Sequence, residues 1–249
     1  MTNPIFFEDP RALTEARAIF MQHKVPLAAG SGDVQVYAVQ LRARLSENVS
    51  LIATKDGYIK STNPLVDDGW ADLAMGLKFN LIRNVAQQRL LSGGFTFELP
   101  TGEADPLQGN GDGELNLFLN GGAQLGCNSH WVTATGFRLP MNTTDESQSI
   151  YWSNHFDYRV RRGIYLLSEL NWFHWTKSGQ DGPIPGIEGL DLINLGSPGV
   201  AGNDILTGAA GIKFKPGNRS EIGVAFEFPL TEREDIIDNR LTVDCIFRY

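Results

Sequence analysis

The 249-residue chain contains no apolar run approaching the ~18 residues of a membrane-crossing helix, which excludes a helical membrane protein. Its 2 cysteines, Cys127 and Cys245, are too few for a disulfide framework and have no metal-site spacing. Positive charge is also in short supply: 21 Lys+Arg against 29 Asp+Glu leave a net charge of -8. Nucleic acid is therefore excluded as a partner, since no basic stripe exists to displace counterions from phosphates. Catalytic signatures are absent, with no HExxH, GxSxG, CxxC or phosphate-loop pattern. The 4 histidines, His23, His130, His155 and His174, are scattered over separate segments. Gly109 to Gly113 reads as a loop tip, lacking the lysine and following helix of a phosphate loop. The opening residues, Met1 to Asp9, have no basic start followed by an apolar run. A secreted protein of this sequence would be a mature chain whose leader has been removed.

Aromatic residues make up 10% of the chain, 14 of them Phe, and this aromatic content together with the β-branched residues is too high for disorder. Helical periodicity is weak, but alternation of apolar and polar residues is strong in segments of about ten residues. Strands are expected near 16–26, 32–46, 49–60, 70–82, 89–99, 114–126, 130–139, 149–161, 163–175, 204–215, 219–229 and 239–249. The connections alternate in length. Longer ones run from Pro26 to Ser31, Ser61 to Gly69, Pro100 to Gly113, Pro140 to Gln148, Thr176 to Asn203 and Leu230 to Asp238. Shorter ones centre on Ser46 to Asn48, Arg83 to Gln88, Cys127 to Ser129, Arg162-Gly163 and Pro216 to Asn218. An up-and-down meander puts every long loop at one end, and the tight turns with both termini at the other. Bacterial outer-membrane barrels are built in this way.

The strand faces are consistent. In the last strand Leu241, Val243, Cys245, Phe247 and Tyr249 oppose Arg240, Thr242, Asp244, Ile246 and Arg248. Ile222, Val224, Phe226 and Phe228 oppose Glu221, Gly223, Ala225 and Glu227, and Leu115, Leu117 and Leu119 oppose Glu114, Asn116 and Asn120. Leu73, Met75, Leu77, Phe79 and Leu81 likewise oppose Asp72, Lys78 and Asn80. A soluble barrel would turn the apolar face inward and a membrane barrel outward. Small residues on the polar faces (Gly94, Gly122, Gly136, Gly211, Gly223) suit a crowded interior. Trp70, Trp131, Trp152, Trp172 and Trp175 fall near strand ends, as an interfacial girdle requires.

The polar faces supply the candidate lumen-lining, solute-binding residues: Arg42, Lys78, Glu98, His155, Asp157, Arg159, Glu169, Lys213 and Glu227. Both signs are interspersed, which points to interior salt bridges rather than a strongly ion-selective pore. Ser153, His155, Asp157 and Arg159 share one strand face, but alternate residues stand about 6–7 Å apart, too far for proton transfer unaided. No enzyme, cofactor or metal is therefore expected. Acidic residues crowd the long loops, where Asp67, Asp105, Glu188, Asp191 and Glu232 are examples. Such loops suit divalent cations bridging to lipopolysaccharide, or simple solvation.

Asp72-Leu73-Ala74-Met75-Gly76-Leu77-Lys78-Phe79, then Phe97 to Glu103 with Leu99-Pro100-Thr101-Gly102, and later Gly208 to Phe214 resemble elements of a known family. It is the outer-membrane family named for the MetA pathway of phenol degradation. The aromatic terminus and the start Asn3 to Arg11 are similar too. The resemblance implies an outer-membrane β-barrel that passes small compounds, aromatic ones among them, and it carries no catalytic residues. The sequence thus predicts an all-β, up-and-down antiparallel transmembrane β-barrel of about 12 strands. Residues 1–15 are expected as a periplasmic lead-in, with Phe6 to Arg11 as a partial plug the less favoured arrangement, and residues 16–249 as the barrel. The expected function is porin-like passive passage of a small solute in the bacterial outer membrane, with outer-membrane lipid and lipopolysaccharide as surroundings. The loop from Thr176 to Asn203 is the expected constriction or lid. A plugged structural or adhesive barrel and a soluble ligand-binding barrel are the alternatives, and the oligomeric state is left open.

Overall fold

The computed structural model describes all residues, 1–249. The alternating segments form twelve strands in a closed antiparallel barrel of up-and-down topology. They are β1 (Glu15–Lys24), β2 (Asp33–Arg44), β3 (Val49–Lys55 and Tyr58–Ser61), β4 (Gly69–Trp70 and Leu73–Asn84), β5 (Arg89–Leu99) and β6 (Glu114–Leu125). The second half comprises β7 (Ser129–Pro140), β8 (Gln148–Arg161), β9 (Ile164–Lys177), β10 (Asp204–Phe214), β11 (Ser220–Pro229) and β12 (Asn239–Arg248). Each strand pairs with its chain neighbours, and β1 pairs with β12 from Glu15↔Arg248 to Lys24↔Asn239, leaving no open edge. The expected strands all form, within about two residues at most ends.

Two strands are interrupted. Ala53 pairs with Met75 but Lys55 pairs with Ala74, so an extra residue bulges from β3 beside Thr54. A bulge reverses the sense of alternation beyond it. Ile52 and Ile59 are consequently both buried despite their odd separation.

Polarity is inverted relative to a soluble protein. Leu117, Leu119, Phe137, Leu166, Ile212, Val224 and Phe226 lie exposed on the outside. Arg17, Lys78, His155, Glu169, Lys213, Glu221 and Asp244 are buried inside. The soluble-barrel alternative, which needs the apolar faces inward, is thereby overturned. Crowding explains the small residues: a Cβ on Gly223 would meet Asp244 and Lys213, and one on Gly136 would meet Tyr151. Trp70 and Trp152 are exposed on the outer wall, as a girdle requires, but Trp175 is buried. It belongs to an apolar cluster at the loop end with Val25, Val34, Leu190, Ile193, Val200, Ile205 and Ile237, and the Arg233 guanidinium lies 5.2 Å from its ring. Cys127 and Cys245 are both free.

Candidate functional site

The chain's opening segment lies inside the lumen, entering from the end that carries the short turns. It is more than a lead-in to β1. An irregular buried segment must satisfy its backbone N–H groups, and inward carboxylates do this here. Thr2 N–H donates to Asp157 (2.5 Å), Asn3 N–H to Glu221 (2.8 Å) and Ile5 N–H to Glu169 (2.6 Å). Glu8 sits between Arg42 and Lys78, 2.6 Å from each. Asn120 Nδ2 donates to the Glu8 carbonyl and Ser92 Oγ to that of Pro10. The Arg240 guanidinium lies 4.6 Å from the centre of the Phe6 ring.

Five of the sequence-derived candidates therefore meet the protein's own first residues. Arg42 and Lys78 hold Glu8, Glu169 and Asp157 hold backbone N–H groups, and His155 joins Glu169 (2.7 Å) to the Thr2 hydroxyl (3.0 Å). His155 is thus engaged away from Ser153, and no Ser–His pair forms. Lys213 stands between Glu221 and Asp244 at 3.1 and 3.0 Å, Glu227 pairs with Arg240, and Glu98 with Lys55. Arg159 departs from expectation. Although it shares the inward parity of His155 and Asp157, it sits at the turn rim, exposed, and bonds Asn128 Oδ1 at 2.7 Å. Strand parity gives the face of a residue but not its height along the barrel.

Above the opening segment is a cavity of about 230 Å³. Ile5, Phe6, Phe7 and Glu8 form its floor, and Asp191, Leu192 and Ile193 its roof. One side is polar, with Arg42, Lys55, Glu98, Glu114, Asn116 and Arg138; the other is apolar, with Ile19, Met21, Val34, Val36, Ile59 and Phe173. Arg138 lies at inward parity on β7 and was legible in principle. Lys55 was not, because the β3 bulge turns it inward against the count. Such a lining can hold a molecule that is partly apolar and partly polar.

The roof belongs to the long connection from β9 to β10, which folds inward. Asp191 reaches Arg240 at 2.8 Å, and Asn194 Nδ2 donates to Glu114 at 3.0 Å. Arg138 donates to the Leu190 carbonyl and holds Glu114 at 2.6 Å. The Glu188 carboxylate accepts from Ser147 Oγ (2.6 Å) and from the N–H groups of Leu195 (3.1 Å) and Ser197 (2.8 Å). Burial pushes the Glu188 carboxyl up from its ordinary value, against these hydrogen bonds, which lower it.

No family model matches this chain. No curated protein matches it either. Solved structures do. The COG4313 outer membrane channel from Pseudomonas putida F1 superposes with a TM-score of 0.71 at 13% identity, over 100% of both chains. What is shared is the barrel. The NanC porin gives a TM-score of 0.62 at 4% identity over 95% of this chain and 100% of its own. The KdgM porin, in a complex with oligogalacturonate, gives 0.55 at 9% identity over 94% and 99%. At these identities the likeness is one of fold.

Proposed function

We propose that the protein is a porin-like channel of the bacterial outer membrane that passes small solutes by diffusion, without cofactor or catalysis. One observation carries this reading: a closed barrel with an apolar exterior and a charged, buried interior. Closure satisfies every strand edge, as a hydrocarbon surround demands, whereas an apolar band of this extent in water would be an association surface. The similar folds of outer-membrane channels and porins support it. Phe6, Phe118, Phe173 and Tyr151 at the cavity favour small aromatic solutes, in keeping with the phenol-degradation family that the sequence resembles. Arg42 and Glu98, with Lys55, Glu114 and Arg138, are the groups placed to meet a solute's polar end. The turn end with both termini would face the periplasm and the acidic loops the lipopolysaccharide.

The test has two stages. Protein extracted from the outer-membrane fraction should migrate faster unboiled than boiled. In planar bilayers the full chain should give small conductance steps, and a variant lacking residues 2–11 should give larger ones. A boiling-independent mobility, or a soluble protein, would sink the membrane reading. Because both lumen ends are occupied, a closed structural barrel is the second reading, and zero conductance in both forms would favour it.

A further inference from the structure

The barrel's cations divide into two populations. Inside, Arg17, Arg42, Lys55, Lys78, Arg138, Lys213, Arg240 and Arg248 each have a carboxylate partner. Of the cations without one, all but Lys60 and Lys177 stand at or beside the short turns. In a chain of net charge -8 this is a marked segregation.

The densest group lies where three consecutive turns meet. Arg159 N–H donates to the Asn128 carbonyl (2.8 Å), and Lys215 N–H to that of Gly163 (2.6 Å), so the backbone stitches these turns together. Between them is an open cup of about 520 Å³ lined by Asn128, Arg159, Arg161, Arg162, Lys215 and Asn218. Arg161 and Arg162 make no side-chain hydrogen bond or ion pair, so their forked donors are unspent, and Arg159 has only neutral oxygen partners. Immediately outside is an exposed apolar row, in which Tyr158 pairs with Leu166 and Leu166 with Ile212.

We propose that this cup binds the phosphodiester headgroup of an anionic phospholipid, whose acyl chains lie along Tyr158, Leu166 and Ile212. Guanidinium forks match phosphate oxygens bidentately, and unpaired arginines at headgroup level attract anionic lipid. The adjoining apolar row selects a lipid over a free phosphate, because only the lipid uses both surfaces. The assignment rests on the membrane reading above.

The test uses the full chain and two double variants, Arg161→Gln with Arg162→Gln, and Arg161→Lys with Arg162→Lys. Each is inserted into phosphatidylcholine vesicles, then detergent-released and titrated with phosphatidylglycerol under native mass spectrometry. The natural chain should retain phosphatidylglycerol over phosphatidylcholine. The glutamine pair should lose roughly tenfold to thirtyfold in that affinity. The lysine pair, which keeps the charge but not the fork, should lose less than the glutamine pair but bind more weakly than the natural chain. Equal retention of the two lipids, or a glutamine pair that binds like the natural chain, overturns the proposal. Displacement of the lipid by inorganic phosphate at constant ionic strength assigns the cup to a soluble phosphate and overturns it as well. Failure of the natural chain to insert into any vesicle is a different result, which strikes the membrane reading itself. These side chains are exposed, so unboiled gel mobility should be unchanged in both variants and certifies their folding.

Discussion

Glu146, in the connection between β7 and β8, is buried, and its Oε2 has no hydrogen-bond partner. Burial, then the nearby Glu114 and Glu98, push its carboxyl up from an ordinary 4.5 to about 8. Between those values the folded chain keeps the proton while the unfolded chain releases it. The unfolded state then binds fewer protons, so stability falls as pH rises through the window, by about 1.4 kcal/mol per pH unit, and levels off above it. Glu146→Gln should remove this slope: thermal midpoints should match the natural chain near pH 4 and exceed it at pH 8. An unchanged slope in the variant would assign the titration elsewhere. At this scale the sequence was legible in kind and not in role. His155, Asp157, Glu169, Arg42 and Lys78 were identifiable as inward polar residues. That their partner is the first eight residues of the same chain depends on contacts separated by 34 to 164 residues in sequence, which no local pattern encodes.

At the scale of elements, the strands were the most legible feature, because a half-buried strand writes its two faces into alternate residues. The β3 bulge broke that writing, hiding Lys55 and shifting Ile59 to the parity of the inner face. The long β9–β10 connection was recognisable as a constriction by its length, but its attachment was not. That attachment depends on Glu188, whose carboxylate holds Ser147, Leu195 and Ser197 together. Glu188→Ala should leave those donors without a buried acceptor, and each such loss costs about 1–3 kcal/mol. Amide exchange at Leu195 and Ser197 should accelerate at least tenfold, while the β11 and β12 amides stay as they were. Exchange unchanged at Leu195 would mean that the apolar cluster alone holds the roof.

At the scale of the whole molecule, the outer surface decides what surrounds the barrel. Leu119 lies midway along β6 and is 48% exposed. On the proposed membrane reading, Leu119→Arg places a charge near the bilayer centre and should lower stability in lipid vesicles by about 2–4 kcal/mol. In water the same exposed site would tolerate arginine almost freely. Equal stability of the variant and the natural chain in vesicles would contradict a lipid-facing position. By itself the sequence determined the number of strands, the sorting of long loops to one end and the composition of each face. These follow from near-neighbour geometry, the period of two along a strand and the turn chemistry between strands. The tertiary structure alone decided how the lumen is filled and which cations remain without a partner. Those depend on closure: joining β1 to β12 sets the interior width, and only within that width do the opening segment, the inward roof and the paired charges meet.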